Sequence, residues 1–228
     1  QPEFNSLFGD TQWGVGKKAG AERVLHRVRQ LCSDKQQDPD FVLVKIDSRN
    51  AFNNISRRTF MRKVKECIPW AYNWVRYCYG SFSALRLGTQ FTIDSREGTQ
   101  QGDPLGPFLY SLVLQGLVQD IVPNLTANMW YLDDGIIGGT VDQAEEVMRK
   151  LNGDSAKQRG VFLNTAKCEI VFLHPNAANR EAAIGLPGRC GIPEHKVIRN
   201  GNFELLGAPI GTEAFAANYI RDNCLPEY

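Results

Sequence analysis

The sequence predicts an α+β fold in which helices pack on one face of a small antiparallel sheet. Two signals indicate strands: the apolar run Phe41–Ile46, and two apolar runs that meet at Asp133-Asp134-Gly135. Short β-branched or aromatic runs next to turn residues are typical of buried strands and hairpins, and we expect Gly135 to take the positive φ of the turn. Segments with helical periodicity lie between the strands, which indicates helices layered on a sheet.

The remaining elements are predicted from the helical spacing of apolar residues and from short runs of strand-forming residues. Apolar residues recur at helical spacing in four segments, which are 20–32, 57–79, 105–121 and 141–159. Further strands are expected at 161–163, 168–173, 196–199 and 203–206, and a hairpin is expected to pair 85–93 with 95–99 through Asp94. Residues 175–193, with their proline, asparagine and glycine content, indicate an irregular insertion.

The helix over 105–121 has two alternative starts. In one, Asp103 is the N-cap and Pro104 is the first helical residue; in the other, the helix begins at Gly106 with Pro107 there. Both agree with the preference for proline in the first helical turn, so both remain open at this point.

Three carboxylates are expected to meet at one edge of the sheet. Asp47 directly follows the first strand, and Asp133 and Asp134 occupy the hairpin turn. An exposed Asp-Asp-Gly turn is common, and Asp47 could instead cap a helix, although Ser56 is better placed to cap the next one. Adjacent anions are costly unless a cation or water screens them. An oxygen-only cluster suits Mg²⁺, and two such ions about 3.5–4 Å apart can promote phosphoryl transfer.

Five sequence blocks, in order, resemble the palm of reverse transcriptases, closest in style to those of non-LTR retroelements. The blocks are DSRNAFN at 47–53, GTQQGDPLGP at 98–107, YLDD at 131–134, GVFLN with KCE within 160–169, and LLGAP at 205–209. Several ordered blocks are far more specific than one short acidic turn. The resemblance implies an RNA-directed DNA polymerase that transfers a nucleotide from a dNTP to a primer 3′-hydroxyl, with two Mg²⁺ ions or Mn²⁺ in their place.

The resemblance also implies roles at the acidic cluster. Asp47 and Asp133 would be the main metal ligands, Asp134 would assist or order the turn, and the Ser48 carbonyl would add a backbone oxygen. Phe52 would be the bulky residue under the sugar of the incoming nucleotide, where it would exclude a 2′-hydroxyl. The alternative for Phe52 is ordinary core packing.

Other blocks imply contacts with nucleotide and primer. Gln101 would touch the template or the nucleotide, and Gly102 would let the backbone approach a base pair closely. Lys167 would help the pyrophosphate to leave, as a nearby cation or proton donor. Leu206, Gly207 and Ala208 would form the primer grip.

The resemblance divides the chain into a residual fingers segment at 1–40, the palm at 41–211 and a tail at 212–228 that leads towards a thumb. The fingers hairpin and the thumb are not recognisable in the sequence. We therefore expect the chain to be part of a longer polyprotein that contains a fingers hairpin and a thumb, and to polymerise poorly alone. Whether an endonuclease is fused stays open at this point. The expected partners are an RNA template, a DNA primer and a dNTP. The alternatives are a catalytically silent nucleic-acid-binding module and an RNA-directed RNA polymerase.

Composition narrows the class of protein but does not identify it. The 228 residues are 43% hydrophobic and 22% charged, as is ordinary for a globular domain. The net charge of +1 gives no overall sign of a nucleic-acid partner. Basic residues are instead concentrated at 17–29 and 57–65. Such segments could track phosphates or be solvated helix faces.

The six cysteines form no Cys-x-x-Cys pair, which favours free thiols in a reducing compartment. The spacing of Cys168, His174, Cys190 and His195 fits no common zinc pattern. No apolar stretch is long enough to span a membrane, and no signal peptide is recognisable. We therefore expect an intracellular protein without a membrane partner, in either the nucleus or the cytoplasm.

Overall fold

A five-stranded sheet lies at the centre of the computed structural model, which describes residues 6–88, 90–119, 121 and 123–224. The strands are β1 (Phe41–Ile46), β2 (Ser83–Leu87), β3 (Phe91–Ser95), β4 (Ala127–Tyr131), β5 (Asp134–Thr140), β6 (Glu169–Phe172), β7 (Val197–Ile198), β8 (Phe203–Leu205) and β9 (Ala208–Ile210). The helices are α1 (Gly20–Lys35), α2 (Ala51–Asn54), α3 (Arg57–Cys67), α4 (Tyr72–Tyr79), α5 (Gly106–Val118), α6 (Val141–Leu151), α7 (Asp154–Gln158), α8 (Leu186–Cys190) and α9 (Glu213–Cys224). None of these helices is both long and apolar enough to cross a membrane.

The central sheet has the strand order β4-β5-β1-β6-β7, and two separate hairpins pair β2 with β3 and β8 with β9. β1 is antiparallel to both β5 and β6, and β4 is antiparallel to β5. β7 runs parallel to β6 because a long connection, residues 173–196, carries the chain back across the sheet. The insertion expected to be irregular at 175–193 contains the short helix α8. The predicted α+β fold is confirmed, with this one parallel pair at an edge.

Both faces of the sheet are covered. Val42 and Val44 of β1 point into a core shared with α3, α5 and α6, whereas Phe41 and Leu43 point into a second core with α1. A strand that is apolar on both sides needs cover on both sides. The segment that we assigned to the residual fingers therefore packs on the palm sheet, through α1.

Two predicted helices are interrupted. The helix expected over 57–79 ends at Cys67, and a 3₁₀ turn that begins at Pro69 separates it from α4, because proline disfavours helical conformation in the residue before it. The helix expected over 141–159 ends at Leu151, and α7 follows after Gly153.

The start of α5 resolves the two alternatives in favour of Gly106, with Pro107 in the first turn. Asp103 does not cap the helix itself. Its carboxylate accepts a hydrogen bond from the Leu105 amide at 2.9 Å and shapes the loop that enters the helix.

The predicted pairing of 85–93 with 95–99 is wrong. β2 pairs with β3 in the register Ser83 to Ser95, and the reversal lies near Gly88, which has a φ of +65°. Glycine takes that conformation without steric cost, so the turn forms there and not at Asp94. The strand expected at 161–163 reduces to an isolated bridge between Leu163 and Ser48.

The acidic turn is also built differently from the prediction. Leu132, not Gly135, has the positive φ, at +57°. Gly135 lies in β5 opposite Trp130, and a Cβ at this position would lie 2.6 Å from the Trp130 ring. Gly135 is therefore required because the buried Trp130 indole approaches its backbone closely. The positive φ of the turn is adopted by Leu132.

Candidate active site

The pairing of β1 with β5 brings the acidic residues together. Ile46 lies opposite Gly135 in the register, so Asp47 reaches the level of the turn that carries Asp133 and Asp134. Asp47 and Asp133 line one cleft of about 290 Å³, here called the Asp133 cleft. Asp47 and Asp134 line a neighbouring cleft of about 210 Å³, the Asp134 cleft. Asp133 and Asp134 therefore line two different clefts, which share Asp47.

The carboxylates influence one another electrostatically. Burial raises the pKa of Asp133, and the charge of Asp47 raises it further. Burial and the charges of Asp133 and Asp47 raise the pKa of Asp134 to about 6. The buried Tyr110 hydroxyl also has a raised pKa, first because of burial and then because of the three aspartate charges. The cluster therefore holds its negative charges at a cost, as expected for like charges in a partly desolvated site.

Lys45 is the cation that opposes this repulsion, and it lowers the pKa of Asp134. Its ammonium group lies 2.8 Å from the Glu169 carboxylate, which in turn lies 3.5 Å from Lys196. The charge of Lys45 is thus shared with Glu169, and it only partly compensates the aspartates.

The backbone of Asp47 is held by the segment that follows α7. The Asn164 amide donates to the Asp47 carbonyl at 2.9 Å, and the Asp47 amide donates to the Cys168 sulfur at 3.4 Å. Burial raises the pKa of the Cys168 thiol to about 11, so this group is neutral at physiological pH. The fourth sequence block therefore supports the first one directly.

Ser48 is held by its side chain. The Tyr110 hydroxyl donates to Ser48 Oγ at 3.0 Å. On either side of Ser48, the Arg49 amide and the Asp47 carbonyl form backbone hydrogen bonds with the segment 162–164. In the described ranges, no backbone amide donates to the Ser48 carbonyl.

The donor set fits a hard divalent cation, although the protein alone does not complete a cage. Among the described residues, no three His, Cys, Asp or Glu side chains are grouped closely enough to hold a metal ion. The oxygens at hand are the Asp47 and Asp133 carboxylates and the Ser48 backbone. Mg²⁺ is commonly held by one or two carboxylates plus substrate phosphates and water, so this smaller set suits it.

Three other predicted residues line the Asp133 cleft: Phe52, Gln101 and Lys167. The half-buried Phe52 ring packs edge-on against Tyr110, with ring centroids 5.4 Å apart, so it belongs to the core and the cleft at once. Gln101 and Lys167 are exposed, and Lys167 lines both clefts. Gly102 has a φ of +86° and open space around it, but it is not among the described residues that line either cleft.

The predicted primer grip is a hairpin with a two-residue turn. Leu206 and Gly207 form its tip, with φ values of +48° and +73°, and both line the Asp134 cleft. Ala208 is the first residue of β9, pairs with Leu205 and lies outside that cleft lining.

One basic residue is structural. Arg57 is 7% exposed, and its guanidinium donates to the Gly98 carbonyl, the Ser81 carbonyl and Ser95 Oγ. It ties α3 to the β2–β3 region and is not available to track phosphates, although it stands in a basic run of the sequence.

Gln12 is a site residue that the sequence motifs did not indicate, and it lies in the segment assigned to the residual fingers. The side chain is 1% exposed and contacts the backbone of Leu132, next to Asp133. The sequence hardly indicates a role for Gln12, because a single uncharged glutamine near Gly14 belongs to no periodic pattern and to no charged motif.

Comparison with known families agrees with this geometry. A model of the family described as reverse transcriptase (RNA-dependent DNA polymerase) matches residues 3–210. Members of this family generally use divalent metals. The retrotransposable element SLACS 132 kDa protein of Trypanosoma brucei gambiense is 25% identical over 180 residues, which cover 73% of this chain and 14% of that protein.

Solved structures show the same fold. Apo telomerase from Candida tropicalis, truncated at its C-terminal domain, matches with a TM-score of 0.60 at 12% identity, over 92% of this chain and 42% of that one. Telomerase from Candida albicans, in complex with a fragment of telomeric RNA, matches with a TM-score of 0.56 at 11% identity, over 91% and 34%. The chain thus spans less than half the length of these relatives. Because the family model covers most of its residues, the chain belongs to the reverse transcriptase (RNA-dependent DNA polymerase) family.

Proposed function

We propose that this chain is the palm of an RNA-directed DNA polymerase that adds deoxynucleotides to a DNA primer on an RNA template. One observation carries the proposal: Asp47, which follows β1, and Asp133, in the turn between β4 and β5, line a single cleft with Phe52, Gln101 and Lys167. Nucleotidyl transfer requires carboxylates that hold metal ions, and a cation near the leaving phosphates would assist it. The Phe52 ring would contact the sugar. Membership of the family supports the same reaction.

The Asp47 and Asp133 carboxylates, with the Ser48 carbonyl, would hold two Mg²⁺ ions together with the triphosphate, and Asp134 would order the turn. The ions would activate the primer 3′-hydroxyl and stabilise the leaving oxygen. Burial first, and like charges second, raise the pKa values of Asp133 and Asp134. A cation bound between them would offset the charge repulsion, which supports this role.

The side chains in the cleft would set substrate choice and assist departure of pyrophosphate. The Phe52 ring, backed by Tyr110, would fill the space that a ribose 2′-hydroxyl needs. Gln101 would contact the nucleotide or the template. Lys167, an exposed cation on both clefts, would balance negative charge on the leaving pyrophosphate or donate a proton to it.

The primer end would lie in the Asp134 cleft. The β8–β9 tip at Leu206 and Gly207 faces Asp134 across that cleft and offers a tight backbone turn to the primer strand. The reacting hydroxyl would then lie between the two clefts, which meet at Asp47.

The complete enzyme would be longer than this chain. The SLACS protein extends far beyond the matched region, which covers 14% of its length. A fingers hairpin and a thumb would supply the contacts that align triphosphate and primer, because metal ligands alone do not fix reacting groups in line. Tests of activity therefore use the protein in its native reading frame.

Asp133→Asn should reduce primer extension by about a thousandfold, because charge stabilisation worth several kcal/mol is lost. Affinity for the RNA–DNA primer–template should remain, since basic residues supply it. Extension rates and binding are measured side by side, with exposed Glu181→Gln as the matched carboxylate control.

An active Asp133→Asn enzyme would contradict the assigned site. A wild-type protein that binds but never extends would identify a silent binding module. Preferential use of ribonucleotides by the wild type would identify an RNA polymerase.

Phe52→Ala should raise the use of ribonucleotides relative to deoxynucleotides by about ten- to a hundredfold, because removing the ring opens room for the 2′-hydroxyl. Single-nucleotide incorporation gives the ratio of kcat/KM values. The control is Phe108→Ala, which removes a ring of the same core outside the cleft lining. An unchanged ratio in Phe52→Ala would leave Phe52 as packing only.

Asp134→Asn should stabilise the metal-free chain at pH 8. The folded-state pKa, raised from 3.8 to about 6, means that the folded chain binds this proton more tightly than the unfolded chain does. The ionised carboxylate is therefore destabilising above pH 6, and this effect fades as the pH falls towards 4. Denaturant unfolding in EDTA at several pH values checks this. A gain independent of pH, or a loss of stability at pH 8, would contradict it.

A further inference from the structure

We propose that Gln12 is a positioning residue for the acidic turn: its side chain holds Leu132 in the conformation that presents Asp133 to the cleft. The inference rests on the proposed function for its catalytic consequence. Its structural part stands on three hydrogen bonds to backbone atoms.

Gln12 binds both polar groups of one peptide residue. Its Oε1 accepts from the Leu132 amide at 2.8 Å, and its Nε2 donates to the Leu132 carbonyl at 3.0 Å. The same Oε1 accepts from the Gly14 amide at 2.9 Å. The side chain is 1% exposed, so these bonds are shielded from competing water. The Gln12 carboxamide thus makes the two hydrogen bonds with Leu132 that a neighbouring strand would make with a residue inside a sheet.

Leu132 needs such support because its conformation is unfavourable. A φ of +57° is sterically unfavourable for a residue with a Cβ, and leucine has no polar side chain with which to stabilise it locally. The next residue, Asp133, carries one of the mutually repelling charges. Without Gln12, a turn with a more ordinary leucine φ would move Asp133 away from Asp47.

The backbone around Gln12 is rigid enough to act as an anchor. The Trp130 amide donates to the Thr11 carbonyl, and the Trp13 amide donates to the Trp130 carbonyl, both at 2.7 Å. These bonds fasten the segment alongside β4. Gly14 leaves room for the turn, because a Cβ there would lie 2.6 Å from the Leu132 side chain.

The chain offers a matched control. Gln115 is a second buried glutamine, at 5% exposure, that also fastens the N-terminal segment. It accepts from Thr11 Oγ1 at 3.0 Å and donates to the Phe8 carbonyl at 3.2 Å, and neither bond involves the turn. Replacing either glutamine by methionine removes its hydrogen bonds at similar volume. A general effect on packing would therefore appear in both variants.

The experiment compares Gln12→Met with Gln115→Met in the protein in its native reading frame. Single-turnover kinetics give the maximal rate, primer–template binding gives Kd, and NMR hydrogen exchange gives the protection of the Leu132 amide. We expect Gln12→Met to lower the maximal rate by about ten- to a hundredfold with Kd unchanged, because small misplacements of reacting groups have effects of that size. Exchange at Leu132 should accelerate in Gln12→Met and not in Gln115→Met.

Equal rates in the two variants would overturn the positioning role. If Gln12→Met does not fold, hydrogen exchange in the wild type still tests whether Gln12 holds the Leu132 amide. A Leu132 amide that exchanges as fast as one in an unstructured peptide would exclude that contact. A wild type no more active than Asp133→Asn would refute the proposed function instead, and the exchange data would still judge the contact between Gln12 and the turn.

Discussion

The antiparallel pairing of β1 with β5 is the constraint on which the candidate site depends. It places the end of one strand beside the turn of a hairpin, so Asp47 lies at the level of Asp133 and Asp134. A slip of one residue would turn every side chain of β1 to the opposite face. Both faces of β1 are buried in separate cores, which opposes such a slip. The fold thus concentrates like charges at one edge and raises the pKa of two of them.

Concentrating those charges requires neighbours that resist their separation. The Asn164 amide and the Cys168 sulfur hold the backbone of Asp47, and Tyr110 holds Ser48. On the other side, Gln12 contacts the residue before Asp133. These contacts are made by neutral groups, and Lys45 offsets part of the negative charge of the cluster. This arrangement supports the proposed binding of a cation together with the substrate.

Much of this architecture follows from local sequence patterns. The apolar run before Asp47, the hairpin at 131–135 and the helical periodicities predicted the α+β layering, because each depends on spacing within one segment. Features that depend on contacts between distant segments were missed. The positive φ falls on Leu132 because Gly135 is needed beside Trp130, and that conflict is invisible along the chain. Likewise, nothing in a basic run marks Arg57 as buried.

The most direct test of the account is whether the cluster binds a divalent cation through the strand end and the turn together. Electron paramagnetic resonance can measure Mn²⁺ binding to the chain in the presence of a dNTP, comparing the wild type with Asp47→Asn and with the exposed Glu181→Gln. The account predicts a loss of affinity of at least about tenfold, or 1.4 kcal/mol, for Asp47→Asn alone. Equal affinity in all three proteins would contradict it.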